Sequence, residues 1–430
     1  MKILTESDIP PSFFVHTPLT EMDTVRPILD AVRESGDEAV REYTQKFDHV
    51  RIRTLRVSSA HIHAAHDLVE KETVLSLEKA AGAIRAFATH QMDQLSDFEM
   101  EITPGVYAGQ TVKPIERVGI YVPGGRFPLV SSVLMCGIPA LVAGVSEIAL
   151  CSPPSWNSSI HPAILVAAHH IGISEIYTIG GVQAIAAMAY GTETVKKVDK
   201  IVGPGNAYVT AAKKAVFGEV GIDFIAGPTE IMVIADESAS PDIVAADLYA
   251  QAEHDPQALP VLITPSRKLA HAVYTLLQEH IIPLPAGHPA HHSLSHNGMI
   301  ILVENLERAI TIANRRAPEH LHLHYHNDSS SPLLPEFHHY GSLFIGPLTA
   351  ESLGDYSSGL NHTLPTNLAA RYTGGLSVRD FLKIQTTLQV SEGGFRHIAP
   401  VAQALAEIEG LNGHARSITE RMKVLTKLRE

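Results

Sequence analysis

Val118-Gly-Ile-Tyr-Val122 runs into the turn Pro123-Gly-Gly-Arg126 and then into a helix-forming stretch over 129–143. This succession decides the fold. A short apolar run rich in β-branched and aromatic side chains reads as a strand. The proline and glycines after it punctuate the chain, and the longer run that follows carries helical periodicity. The pattern repeats downstream. Strands are expected near 147–151 and 175–179, and Lys200-Ile-Val202 leads through Gly203-Pro-Gly-Asn206 into another helix. Strands and helices alternating in this way build a parallel sheet with helices on both faces. The rhythm resumes over 228–347, with strands expected at 230–235, 260–264, 299–303, 320–324 and 342–345. The expected fold class is α/β: two tandem doubly wound, Rossmann-like parallel-sheet domains, with ligands bound beyond the carboxyl ends of the strands.

Outward from these segments, residues 1–105 read as a helical N-terminal region, 106–235 as the first α/β domain, 236–377 as the second, and 378–430 as a helical C-terminal tail. Helical periodicity covers 25–47, interrupted at Gly36-Asp37, and 59–94 in two pieces; the final helix is expected from about Ser417. Residues 348–377 are rich in Gly, Ser, Asn and Pro, a composition that in a compact enzyme marks a functional loop.

Composition narrows the function classes. With 45% hydrophobic and 18% charged residues in 430, the chain has the make-up of a globular protein with a large core. A net charge of −13 argues against nucleic acid or an anionic membrane as the main partner. Two cysteines, Cys136 and Cys151, make no disulfide framework and fit a reducing cytoplasm; both read as buried thiols beside strands. Met1 to Thr24 has no long apolar core behind a basic start, and no run approaches a membrane span, so neither a signal peptide nor a transmembrane helix is expected.

Four places could carry chemistry. Ser240 and Pro241 suit the start of a helix that Asp255-Pro256 stops, and Gln251 and His254, three residues apart, share a face of its last turn. A carbonyl oxygen and an imidazole nitrogen pointing one way are half of a metal site; the alternative is a polar helix end. The turns Val122-Pro-Gly-Gly and Gly203-Pro-Gly-Asn let backbone approach a phosphate at a helix start, although neither is the GxGxxG fingerprint, and both also read as ordinary tight turns. Glu319-His320 opens a strand and offers two separate general bases, or a structural pair. His322, His324 and His326 alternate as a half-buried strand should. Asp355 and His362 lie in the glycine-rich loop, His414 sits alone near the C-terminus, and His288, His291, His292 and His296 match no defensible zinc spacing.

Several blocks then occur in order: Gly119-Ile-Tyr-Val-Pro-Gly-Gly, Gly180-Gly-Val-Gln-Ala-Ile-Ala-Ala, Val198-Asp-Lys-Ile-Val-Gly-Pro-Gly-Asn-Ala, Ala226-Gly-Pro-Thr-Glu, Gln251-Ala-Glu-His, Pro318-Glu-His-Leu, Gly354-Asp-Tyr-Ser-Ser-Gly-Leu-Asn-His and Gly413-His414. From about residue 25 onward the chain resembles histidinol dehydrogenase, the zinc- and NAD-dependent enzyme of the last steps of histidine biosynthesis. The resemblance implies one zinc ion per subunit, held by Gln251, His254, Asp355 and His414, the last supplied in trans within an intertwined homodimer. It implies substrate contacts by Thr229, Gln251, His254, His320, Asp355, Glu409 and His414, and NAD contacts by Tyr121, Gln183 and Asn206. His320 is implied as the base of alcohol oxidation, and Glu319 as the base that activates water for aldehyde hydration.

Two departures matter. Thr229 stands where the family commonly has serine, and Arg126 where a small residue is usual. The second is similar to a paralogous branch whose members oxidise other small alcohols, including sulfonated propanediols, for which an arginine fork would suit an anionic substrate. Gly354-Asp-Tyr-Ser-Ser-Gly and Leu376-Ser-Val-Arg-Asp-Phe-Leu-Lys resemble histidinol dehydrogenase proper.

Overall fold

The computed structural model describes residues 1–124, 127–154, 158–281, 283–285, 287–325 and 332–427, the side chains at 280 and 281 excepted. Arg126 and His326 lie outside them. The strands are β1 (Lys2–Thr5), β2 (Phe98–Thr103), β3 (Val106–Pro114), β4 (Arg117–Tyr121), β5 (Glu147–Ser152), β6 (Glu175–Thr178), β7 (Lys200–Val202), β8 (Gly221–Ile222), β9 (Glu230–Ala235), β10 (Leu259–Thr264), β11 (Met299–Leu302), β12 (His320–His324), β13 (Ser342–Ile345) and β14 (Leu382–Val390).

The chain is mixed α/β, and its long-range contacts divide it into two units, 1–90 with 115–381, and 91–114 with 382–430. This differs from the boundaries at 105, 235 and 377. The first unit holds two parallel sheets. One is five-stranded, in the order β6-β5-β4-β7-β8. The other is six-stranded, in the order β1-β11-β10-β9-β12-β13. Residues 2–5, expected to belong to a helical region, add the edge strand β1 beside β11. β9 is an inner strand of the six-stranded sheet, so a boundary at 235 would cut between that strand and the helix that packs on it.

The second unit contains the antiparallel sheet β14-β3-β2 and two helices, Glu392–Ile408 and Asn412–Lys427. Neither β2 nor β14 was expected. Leu382-Lys-Ile-Gln-Thr-Thr-Leu-Gln-Val390 pairs over its whole length with β3, and its alternation of apolar and polar residues is a strand's period inside a tail taken as helical.

In the first unit, helix Met22–Asp48 kinks where Gly36 adopts φ 51 and ψ −130, the break expected at that glycine. Cys136 and Cys151 are fully buried, and burial pushes both thiols up, Cys136 to about 12, so neither is a nucleophile at neutral pH.

β12 is not the half-buried strand its alternation suggests. It lies between β9 and β13, and all five of its residues are buried. Leu321 and Leu323 join the core on one face. His320, His322 and His324 pair with Ile231, Val233 and Ala235 of β9. Those three pack in the core cluster under helix Pro241–Ala252. An inner strand covered on both faces buries its polar row as well.

Candidate active site

Three peptide segments meet at the amino ends of β9 and β12. Thr229 precedes β9, Glu319 precedes β12, and His320 opens it. Helix Pro241–Ala252 leaves the far end of β9 and returns, so Gln251 in its last turn arrives at the same end. Ser240 occupies the N-cap without a side-chain capping bond. The expectation of ligands at carboxyl ends therefore fails for this sheet: the polar residues gather where strands begin.

The backbone of Glu230 orients both expected bases. Its N–H donates to Glu319 Oε2 at 2.9 Å, and its carbonyl oxygen lies 3.1 Å from His320 Nδ1. A carbonyl only accepts, so Nδ1 carries the ring proton and Nε2 keeps its lone pair. Among the described residues Nε2 is buried without a hydrogen-bond partner, 3.5 Å from Glu351 Oε1. Burial lowers the His320 pKa to about 3, so the ring is neutral.

The side chain of Glu230 anchors this peptide in turn. Arg316 donates to its Oε2 through Nε, at 2.9 Å, and through Nη2, while the Asn367 N–H donates to Oε1 at 2.6 Å. Burial raises the Glu230 carboxyl and Arg316 opposes that rise. Three converging donors suit the anion, and the ionised pair is the state the geometry supports.

Thr229 Oγ1 donates to Glu319 Oε2 at 2.6 Å. The amide of Gln251 can be read in two orientations. In one, its NH2 donates to Thr229 Oγ1 and its carbonyl oxygen faces the Glu351 carboxyl. In the other, its NH2 donates to Glu351 and its oxygen accepts from Thr229. A hydroxyl has one proton, and that of Thr229 is directed at Glu319. The first orientation keeps the Thr229 bond to Glu319, and it sets the Gln251 carbonyl against the Glu351 carboxyl, a contact that requires a proton on Glu351, in keeping with its raised pKa.

Glu351 and Asp355 both lie on helix Glu351–Tyr356 rather than in a loop. One ligand atom from each of His320, Glu351 and Asp355 lies within 4.8 Å of the others. Burial raises Glu351 well above the ordinary carboxylate range, with Asp355, Glu319 and Asp247 adding to the rise, and raises Asp355 to about 7. Glu319 is raised chiefly by burial, against its bonds from Thr229 and Glu230. Glu351 escaped the sequence reading. Ala350-Glu351 stands four residues before Asp355, the helical spacing that puts both on one face, and that spacing was the available signal.

His254 is exposed by residue area, yet crowding lowers its pKa through desolvation, and it interacts electrostatically with His320 and His362. His362 Nε2 lies 3.1 Å from Ser131 Oγ, and burial lowers its pKa to about 4. The donor chemistry fits zinc. The Gln251 carbonyl, the His254 imidazole and the Asp355 carboxyl are nitrogen and oxygen ligands of the usual kind. The His320 Nε2 beside them, left without a partner among the described residues, and the close carboxyls of Glu351 and Asp355 call for a cation or for protons. Glu409 and His414 belong to the second unit, Glu409 just after helix Glu392–Ile408 and His414 in the first turn of Asn412–Lys427, which starts earlier than Ser417; both are exposed.

The second group lies in the five-stranded sheet. β4 is flanked by β5 and β7, so the winding reverses between β4 and β7, and sheets of this kind take ligands beyond the carboxyl ends at such a reversal. Tyr121 ends β4, and Gly203-Pro-Gly-Asn206 follows β7. Gly203 has φ +119, and a Cβ there would collide with the Tyr121 carbonyl oxygen. The turn is clamped by a buried ion pair. Lys213 donates to Gly203 O at 3.0 Å, Asp223 Oδ2 accepts from Gly203 N–H at 2.8 Å, and Lys213 pairs with Asp223. The Gly203 amide is thus already used. Asn206 caps helix Ala207–Val216 by accepting from Val209 N–H at 3.1 Å. Its NH2 stays available. Tyr121 Oη accepts from Gly181 N–H at 3.1 Å, and Gln183 Oε1, in the same helix start, is buried without a partner.

The sequence model for histidinol dehydrogenase matches residues 17–422. Histidinol dehydrogenase of Methanothermobacter thermautotrophicus is 47% identical over 399 residues, 93% of each chain. That of Geobacillus kaustophilus is 44% identical over 401 residues, again 93% of each. The crystal structure of histidinol dehydrogenase from Elizabethkingia anophelis superposes with a TM-score of 0.90 at 39% identity, covering 99% of this chain and 98% of its own. The chain is an oxidoreductase and belongs to the histidinol dehydrogenase family.

Proposed function

We propose that the chain oxidises L-histidinol through L-histidinal to L-histidine with two NAD, in a cytoplasmic homodimer built around two tandem Rossmann-like sheets. The observation that carries the site assignment is the neutral His320 with a bare Nε2 facing the Gln251–Glu351–Asp355 cluster. Gln251, His254 and Asp355, with His414 of the partner subunit, would hold zinc, which when bound supplies a Lewis-acid anchor for the substrate's amino and imidazole nitrogens. Tyr121, Gln183 and Asn206 would hold NAD, which when bound supplies the acceptor for each oxidation.

His320 Nε2 takes the hydroxyl proton in the first oxidation, and the Nδ1–H bond to Glu230 O keeps that nitrogen aimed. The imidazolium that forms sits 3.5 Å from Glu351 and 3.6 Å from Glu319, which stabilises its charge. Glu319 has Oε2 engaged by Thr229 and Glu230. Its other oxygen takes a proton from the water that hydrates the aldehyde. Thr229, Glu409 and His414 complete the substrate contacts. Retention of the aldehyde in a closed site limits its loss between steps.

The test is NADH formed per L-histidinol by the zinc-loaded dimer. Two NADH with L-histidine as product is the expected result; one NADH with free aldehyde would exclude the Glu319 role, and no turnover would exclude the substrate.

A further inference from the structure

One polar cluster in the first unit is left unused by this chemistry. It lies deeper along the same strand face. Asp247 is one helical turn before Gln251, and it faces His322 and His324, which follow His320 at the strand's two-residue period. Asp247 Oδ2 lies 3.4 Å from His322 Nδ1 and 3.0 Å from His324 Nε2. One ligand atom from each of the three residues falls within 4.8 Å of the others. His322 is 0% exposed, His324 3% and Asp247 9%.

These contacts are ion-pair distances whose angles fall short of well-formed hydrogen bonds, although the Asp247 carboxyl, against its burial, is still held low by both imidazoles. Asp247 Oδ2, both ring nitrogens of His322 and both ring nitrogens of His324 are buried without a hydrogen-bond partner among the described residues. A buried polar atom left without a partner costs about 1–3 kcal/mol, and a cluster of one carboxylate and two imidazoles whose only polar neighbours are one another at sub-optimal angles is under-satisfied in a way that a further ligand would relieve. The spacing indicates what that ligand is. Tetrahedral zinc bonds nitrogen and oxygen at about 2.0–2.2 Å, so its ligand atoms stand roughly 3.3 Å apart. The 3.4 and 3.0 Å separations are of that size.

We propose that Asp247, His322 and His324 form a second metal site, separate from the Gln251–His254–Asp355 site, that binds a zinc-class divalent cation in the core of the six-stranded sheet. Two imidazoles and one carboxylate favour zinc, cobalt or nickel over magnesium or calcium, which take all-oxygen sets. Three protein ligands leave a fourth position for water. The ion pins helix Pro241–Ala252 to β12. It thereby fixes the helix end that carries Gln251 relative to the strand start that carries His320, since Asp247 and His322 each lie one repeat away from those residues on the same two elements. Its role is to position that pair, and it does not touch substrate.

The test is a metal count on the full-length chain, loaded with zinc, desalted and measured by plasma mass spectrometry. The variants are His254→Ala, Asp247→Asn and the double change His322→Gln with His324→Gln, each checked by far-ultraviolet circular dichroism. The expected result is two zinc per wild-type chain, one in His254→Ala and one in each core variant. Cobalt loading adds a readout besides activity: the wild type should show two sets of visible absorption bands, and Asp247→Asn one. A core variant that binds as much metal as the wild type overturns the proposal. Should the core variants fail to fold, the folded His254→Ala chain decides: one remaining equivalent supports the second site, and none refutes it.

Discussion

Removing the guanidinium of Arg316 tests the claim that the buried Glu230 anchor sets the geometry of both bases. In Arg316→Met, Glu230 loses two donors on Oε2 and keeps only the Asn367 N–H on Oε1. Glu230 is 2% exposed, so water cannot replace them. Its escape is protonation. Holding a carboxyl neutral at pH 7 against an ordinary pKa near 4.3 costs about 3–4 kcal/mol, and at pH 5 about 1 kcal/mol. Arg316 also donates to Phe13 O at 2.9 Å; losing that bond adds about 1 kcal/mol at any pH. The sum is roughly 4–5 kcal/mol at pH 7, in line with breaking a buried pair, and about 2 kcal/mol at pH 5. The sign follows from linkage. The variant's folded state holds a proton that its unfolded state releases above about pH 4, so its stability falls as pH rises through that range. Urea denaturation of both proteins at pH 5 and pH 7 measures the difference. A destabilisation equal at the two pH values would refute the argument that Glu230 is forced to protonate. The double variant Glu230→Gln with Arg316→Met should remove the pH dependence while keeping the Phe13 loss.

Other outcomes follow from the same geometry. His320→Ala should abolish alcohol oxidation and leave zinc content unchanged; loss of zinc would remove it from the role of base. Glu319→Gln should slow oxidation of L-histidinal far more than a single-turnover oxidation of L-histidinol, and equal losses would exclude water activation. Asp48 carries a carboxyl that burial raises to about 6, and its Oδ2 has no partner. Its folded form takes up a proton between about pH 4 and 6, so stability falls across that window as pH rises. Asp48→Asn should therefore be more stable than the parent above pH 6, by at most ~3 kcal/mol before discounting for solvent screening at this half-buried carboxyl, and equal to it below pH 4, read from thermal melts across that range.

The parallel sheets were legible because strand and helix alternate with punctuation at each turn. Val118-Gly-Ile-Tyr121 lies in a strand as its composition predicts, while the turn expected after it runs into residues outside the described ones, and Gly203 is a glycine because the Tyr121 carbonyl leaves no room for a Cβ. What escaped depended on the partner rather than on the segment. β1 is four residues long and becomes a strand by lying against β11. β2 and β14 need β3 between them. The end of the sheet that carries the site was misjudged for a similar reason: which end is used depends on where Gln251 returns, and that is set by the length of helix Pro241–Ala252.

The histidine row shows most clearly where local reading stops. His-Leu-His-Leu-His over 320–324 has the period of a strand with one wet face, and in isolation the histidines belong on that face. Placement between β9 and β13 changes their meaning. The same period that would solvate them instead stacks them in a core, opposite a helix whose turn brings Asp247 and Gln251 to that face. Two periods intersect there. The strand repeats every two residues, about 6.6–6.8 Å, and the helix every turn, about 5.4 Å. The strand start that carries His320 therefore falls beside the helix turn that carries Gln251, as His322 and His324 face Asp247 one repeat on. One intersection carries the candidate chemistry. The other has the same kinds of ligand atom and the same burial, and its only assigned task is to hold the first in place.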